Sequence, residues 1–289
     1  MKIEKFQLEL ITPCFCAGAD QAKAEIRASS VRGQLRWWFR ALGGQRDEEA
    51  RVFGSVDKDL ARSSAIQVRV VQIGRGRDWD PPRVRPESSD AYVYYFASVS
   101  GKQKNERWKS TGNVPPGSKF LVNIRWVRNI SESDESKLQK AINLWRTIGG
   151  LGLRVTRGLG AFSCAEAPLT QEHVAWTRNA LCSSGFGFEL KSAEFTRWQD
   201  AVSEAGRILK YDLRSKMKAG KGGDRPSPLG SSNRPRQTSA VYLRPVKWES
   251  ENYGLVLFEA PAERVLGHVS RRGGPVLAEN GLPASESLG

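Results

Sequence analysis

A 289-residue chain with 45 Lys and Arg against 31 Asp and Glu carries a net charge of +14 and a pI near 9.9, which calls for a polyanionic partner. Nine Trp, eleven Phe and an apolar share of 39% exclude general disorder and supply core for two domains of roughly 100–150 residues. No run approaches the roughly 18–20 apolar residues of a membrane span, and four cysteines (Cys14, Cys16, Cys164, Cys182) are too few and scattered for a disulfide scaffold or a metal site.

The opening MKIEKFQLEL places charges where a signal peptide keeps an apolar run, so the protein is expected in the cytoplasm, with reduced thiols and without cofactor or metal. Nucleic acid is preferred to an anionic membrane surface as the partner. No basic helix with a broad apolar face and no lipidation signal accompanies the charge.

In chain order, Phe6, Leu8 and Leu10 alternate with Gln7 and Glu9, the two-residue period of a half-buried strand. Residues 12–28, with Pro13 and Gly18, read as a long loop leading to a helix capped by Ser29 or Ser30. In that helix Val31, Leu35, Trp38 and Leu42 recur at helical spacing, and Gly43-Gly44 ends it. A short helix around 48–53 precedes a strand in which Ile66, Val68 and Val70 alternate with Gln67 and Arg69. Residues 74–90 read as an excursion, 91–97 as an added strand and 98–118 as a polar loop. Phe120, Val122, Ile124 and Trp126 form the clearest alternation in the chain.

Leu138, Ile142, Trp145 and Ile148 then step as an amphipathic helix closed by Gly149-Gly150. A strand over about 160–165 completes β-α-β-β-α-β. Cys14 and Cys164 are expected in strands. Beyond a connection at 167–190 come a helix over about 194–217, a basic Gly/Ser/Pro-rich loop at 219–237 and strands near 239–247 and 253–259. The expected class is therefore α+β: tandem ferredoxin-like (RRM-like, βαββαβ) domains at 1–166 and 190–268, the second partly degenerate, with a flexible tail at 269–289.

Three segments carry chemistry. The first helix places Arg32, Arg36 and Arg40 at i, i+4 and i+8, with Arg27 before them and no acidic residue from Arg27 to Arg40. Guanidinium forks suit phosphate oxygens, and Trp37 offers a ring face to an unpaired base; the competing reading pairs these arginines with acids elsewhere and puts Trp37 in the core. In the second segment, GGLGLRVTRGLGAFS (149–163), Gly150, Gly152 and Gly158 let backbone N–H groups approach a phosphate, while Arg154 and Arg157 add charge.

No Gly-Lys-Ser/Thr follows, so it is no Walker loop, and it lacks the third glycine of the dinucleotide fingerprint. It follows the outline of an RNP1 motif, with Leu159 and Ala161 in place of the stacking aromatics. The alternative is a tight turn that serves topology alone. The third segment, Arg207 to Arg236, holds nine Lys or Arg against Asp212 and Asp224; Lys218, Lys221 and Arg236 are expected on RNA, or else in a solvated loop.

LITPCFCAGAD after the first strand, EIRASSVRGQLRWWFRALGG on the first helix, VFGS after it and the GGLGLRVTRGLGAF loop together resemble the RAMP superfamily of CRISPR proteins. The EIR and RWW features resemble the first-subunit family of the Cmr-type, type III-B effector complex. The resemblance covers roughly residues 8–55 and 145–165, with SPLGSSNRPRQTSAVYL as a looser match. It implies two ferredoxin-like domains and a noncatalytic subunit near the 3′ part of the guide RNA and its target, beside other Cmr-type RAMP subunits, in antiviral defence.

Some RAMP relatives cut RNA with an Asp after the first strand. Asp20 lies in that loop, but its surroundings follow the noncatalytic pattern, and His173 and His268 stand in no recognised motif, so no catalytic residue is assigned. The alternatives are a RAMP endoribonuclease that processes CRISPR transcripts and a free-standing RRM-like RNA-binding protein.

Overall fold

The computed structural model describes residues 2–18, 20, 23–57, 60–85, 87–94, 96, 112–191, 194–214, 229–230, 238–265 and 277. Strand β1 (Ile3–Leu10) is followed by helices α1 (Ala28–Ala41) and α2 (Arg46–Phe53). A small hairpin of β2 (Ser55–Asp57) and β3 (Leu60–Arg62) leads to β4 (Ile66–Gly74), a helical turn α3 (Ala91–Tyr94), β5 (Lys119–Trp126), α4 (Glu132–Ile148) and β6 (Phe162–Cys164). These make an antiparallel sheet in the order β4-β5-β1-β6.

The alternation read in the sequence is the inner face of that sheet. Phe6 and Leu8 lie opposite Val122 and Phe120, and all four are buried. Trp145 of α4 packs edge-on against Phe6 at 6.0 Å and Phe162 at 5.1 Å, tying the helix to β1 and β6.

The rest of the chain adds α5 (Gln171–Cys182), β7 (Gly187–Leu190), α6 (Trp198–Arg207) running into a π-helical stretch (Ile208–Arg214), β8 (Val241–Lys247), β9 (Tyr253–Glu259) and a turn α7 (Ala262–Val265). Its antiparallel sheet has the order β7-β9-β8. One face meets α1: Trp38 stacks on Phe186 at 6.0 Å and lies 5.4 Å from Phe258. On the other side of the strands, Val241, Leu243, Leu255 and Leu257 join Ala205, Ile208 and Leu213 in a second apolar cluster. The fold is thus a mixed α and β structure of antiparallel sheets with α1 between them. Among the described residues no helix is long and apolar enough to cross a membrane.

Several elements differ from the sequence reading. Residues 91–94 are helical rather than extended: Ser88 Oγ accepts from the Ala91 N–H, the Tyr94 N–H donates to the Asp90 carbonyl, and Ala91, Val93 and Tyr94 are buried. Residues 167–190 are no mere connection. Thr170 caps α5 by accepting from the His173 N–H at 3.1 Å, and β7 forms an edge of the second sheet.

Helix α1 begins at Ala28, with Arg27 before it, so Ser29 and Ser30 lie within the first turn and give no side-chain cap. Cys164 is in β6, whereas Cys14 makes only an isolated bridge to Val114. Leu277, inside the expected tail, is buried and its N–H donates to Glu259 at 3.1 Å.

Two charge pairs hold α2 against α4, Lys137 with Glu48 at 2.6 Å and Arg51 with Asp134. Arg51 forks onto Asp134 at 2.7 and 3.0 Å, and Asp134 in the first turn of α4 is fully buried. The Arg51 guanidinium, and then the Ser131 hydroxyl, hold the Asp134 carboxyl below its ordinary range. Because the folded pKa is the lower one, this stabilisation is present above about pH 4 and lost as pH falls through the folded value. D134N should therefore lower the midpoint of thermal unfolding at pH 7, and the gap to the parent should close toward pH 2; a gap independent of pH would mean that the pair's charge contributes nothing.

Candidate nucleic-acid interface

The arginine stripe of α1 does not stand alone. The turn after α1 brings α2 alongside, and Glu49, only 6% exposed, accepts from Arg36 Nε while its other oxygen lies 3.5 Å from Arg40 Nε. Arg32 donates to the Phe53 carbonyl, and its own Nε is buried without a hydrogen-bond partner. Arg27 lies 3.9 Å from Glu25. The expectation of a stripe without a local partner is thus corrected: the partner comes from the next helix, nine residues beyond Arg40.

The pairing is partial. A cleft of about 880 Å³ between α1, α2 and the β2–β3 hairpin is lined by Arg32, Arg36, Arg46 and Arg62. A second, of about 480 Å³, shares Arg36, Arg46 and Glu49 with it and adds Arg40 and Arg264. Among the described residues the two clefts are lined by six arginines and by the carboxylates of Asp47 and Glu49, an excess of positive charge.

Trp37 is half-buried between Trp38 at 5.1 Å and Tyr242 at 5.0 Å. It joins α1 to the second sheet through these ring contacts.

The glycine-rich loop is organised by a residue the sequence reading passed over. Arg244 on β8 is 1% exposed, and its guanidinium donates to the carbonyls of Ile148 at 3.2 Å, Val155 at 3.1 Å and Leu159 at 3.5 Å. Burial lowers its pKa to about 10, so it stays charged at neutral pH. A Cβ on Gly150 would stand 2.3 Å from Arg244 Nη2, so the glycine exists to admit the guanidinium. Gly152, at φ +80°, packs against the Phe15 carbonyl and Cys14 Sγ.

Thr12 Oγ1 donates to the buried Gly158 carbonyl at 2.9 Å and accepts from the Ala161 N–H. Cys14 reaches the Leu151 carbonyl at 3.3 Å; its hydrogen bond to Cys16 and its burial push its thiol pKa up. The glycines allow this close packing, and the loop's apex is partly exposed. There Arg154, at φ +58°, lies 5.3 Å from the Phe96 ring, and Arg157 donates to the Tyr92 carbonyl at 3.1 Å.

The loops after β1 and before β6 do meet, through Leu153 N–H to Phe15 O and Gly160 N–H to Pro13 O. Arg32, on α1, donates to Phe53 of α2, whereas Arg157, in the loop before β6, donates to Tyr92 of α3. Lys218, Lys221 and Arg236 lie outside the described residues. Among the described residues no group of three or more His, Cys, Asp or Glu could hold a metal ion. Arg46, Arg62 and Arg264 were missed because they lie on other elements, and Arg244 because LRPVK reads as an ordinary strand.

Residues 7–163 match the model of the RAMP superfamily. Over 171 residues, 54% of this chain and 91% of the relative, the chain is 32% identical to CRISPR system Cmr subunit Cmr1-2 of Pyrococcus furiosus. The chain belongs to the RAMP superfamily and, within it, to the Cmr1 family. It is also 27% identical over 181 residues to Cmr subunit Cmr1-1 of the same organism, spanning about half (49%) of that relative's length. The crystal structure of apo Cmr1 from Pyrococcus furiosus superposes with a TM-score of 0.58 at 20% identity, over 96% of this chain and 92% of that one, a likeness of fold. The RAMP match ends at Ser163, so Arg244, which organises the glycine-rich loop, lies beyond it.

R244A should destabilise the protein by about 3–5 kcal/mol, through a cavity and three stranded carbonyls, and G150A by about 1–3 kcal/mol through overpacking. Urea titration of the double variant should give less than the sum, since the methyl added at position 150 then occupies vacated space. Additive losses would show that the two residues do not meet.

Proposed function

We propose that this chain is a noncatalytic RNA-binding subunit of a type III-B (Cmr) CRISPR effector ribonucleoprotein in the cytoplasm. In this reading it contacts guide RNA or the guide–target duplex near the guide 3′ end, docks on other Cmr-type RAMP subunits and supports antiviral defence. The observation that carries the reading is the pair of adjoining clefts on α1 and α2, six arginines against two carboxylates, in a member of a family whose curated relative is a CRISPR system Cmr subunit.

The clefts hold phosphates by charge-assisted hydrogen bonds from guanidinium forks. Glu49 keeps Arg36 and Arg40 in place, so less side-chain freedom is lost when an anion arrives. Such contacts are indifferent to base identity, and base pairing with the guide reads sequence. Arg27, Arg154 and Arg157 extend the basic surface, with Lys218, Lys221 and Arg236 as further contacts.

The architecture fits the tandem ferredoxin-like reading, with domains at about 1–166 and 190–268 and a tail after them. The order β4-β5-β1-β6, with α1 and α4 as crossovers, is a complete β-α-β-β-α-β arrangement. The order β7-β9-β8, with α6 between β7 and β8, matches three of its four strands.

Purified protein mixed with end-labelled single-stranded RNA should bind it without cutting it, with an affinity that falls steeply with salt, as neutralising about four to eight phosphates requires. R32A/R62A should weaken binding about 10- to 100-fold regardless of RNA sequence and flatten the salt slope by about 1.4, because two phosphate contacts disappear. Site-specific cleavage would point instead to an endoribonuclease, and a flat salt response would remove the phosphate-binding role.

A further inference from the structure

Among the described residues one tryptophan is exposed: Trp176 on α5, 40% accessible, while Val174, Thr177 and Leu181 of the same helix are buried. The indole stands at the edge of that buried face, with its ring partly open to water beside a cleft. It borders a cleft of about 290 Å³ between the last turns of α4 and the first turns of α5, which shares no residue with the arginine clefts of α1 and α2.

Asn143 and Arg146 line it from α4, Glu172 and His173 from α5. Among the described residues Arg146 has no acidic partner. His173 Nδ1–H donates to the Pro168 carbonyl at 2.5 Å; since a carbonyl only accepts, the neutral ring keeps Nε2 as an acceptor.

We infer that this cleft takes one unpaired nucleotide of a bound RNA strand, its base on Trp176 and its phosphate on Arg146; the inference rests on the RNA-binding reading above. At about 290 Å³ the cleft has the size for a single ring system. Ring face plus guanidinium is the combination by which single strands are held: stacking tolerates any base, and the cation takes the backbone. The acceptors, Glu172 and His173 Nε2, favour bases with an exocyclic amino group, adenine before uracil.

The experiment uses the full chain and fluorescently labelled oligo(A), oligo(U) and an oligo(A) with abasic central positions, titrated across salt concentrations. The parent should prefer oligo(A). W176A should bind oligo(A) about 5- to 100-fold more weakly with an unchanged salt slope, because stacking releases no counterions, and W176F should recover most of the loss. R146A should flatten the slope by about 0.7, and the abasic strand should bind parent and W176A alike.

Thermal unfolding should show W176A folded, since the side chain is exposed. If W176A holds oligo(A) as the parent does while R32A/R62A is impaired, the RNA-binding reading stands and this cleft is not a nucleotide site. If the parent binds no RNA, both readings fall. If W176A binds RNA normally but no longer co-assembles with recombinant Cmr-type subunits, the cleft is a protein-docking face and the inference is wrong.

Discussion

The guanidinium of Arg244 sits in the protein interior with three carbonyls and, among the described residues, no carboxylate bonded to it. Removing such a charge from water costs several kcal/mol, and what offsets that cost is the geometry of the segment around it. The Ile148 carbonyl is at the negative end of α4, and the Val155 and Leu159 carbonyls belong to the loop that follows. The loop can close over the cation because Gly150 has no side chain, and the cation gives the loop partners for carbonyls that would otherwise be buried unpaired. Beside it the Leu243 N–H donates to the Thr156 carbonyl, so β8 holds the loop through backbone as well as side chain. The second sheet therefore shapes the most glycine-rich segment of the first half.

Helix α1 is constrained on three sides at once. Val31 and Leu35 are buried, Trp38 faces Phe186 and Phe258, and the arginines face α2. Such a helix cannot rotate to relieve one face without exposing another. Glu49 completes the arrangement. A nearly buried carboxylate between Arg36 and Arg40 lets cations accumulate on one surface without mutual repulsion, while Arg46, Arg62 and Arg264 keep the net charge positive.

Much of this was legible because it is periodic. Strands β1, β4 and β5 alternate and α1 and α4 repeat at helical spacing, since each buries one face, and that signal survives in a single sequence. Strand β7 has four residues and α3 has four, too few to show a period, and Tyr and Val in AYVY suit a strand in the absence of the Ser88 and Asp90 contacts that wind it into a helical turn. The arginine stripe was visible and its neutralisation was not, because Glu49 is adjacent in space through a turn whose direction local sequence does not encode. Phosphate binding and tight packing both use glycine, so the loop's composition alone could not choose between them.

The buried cation and the exposed ones obey a single rule about where guanidinium groups can stay. Inside, a guanidinium is tolerated only when fixed acceptors surround it, and then it is unavailable to a ligand; Arg244 is of this kind. At the rim of a cleft a guanidinium keeps part of its hydration and part of its valence, as Arg36 and Arg40 do, half-exposed beside Glu49. The first kind fixes the backbone, and the second can exchange water for phosphate oxygen with little rearrangement. Sequence counts both as positive charge. Their separation into structure and surface is made by burial, so an argument from a net charge of +14 to a binding site becomes specific only when each arginine's partners are known.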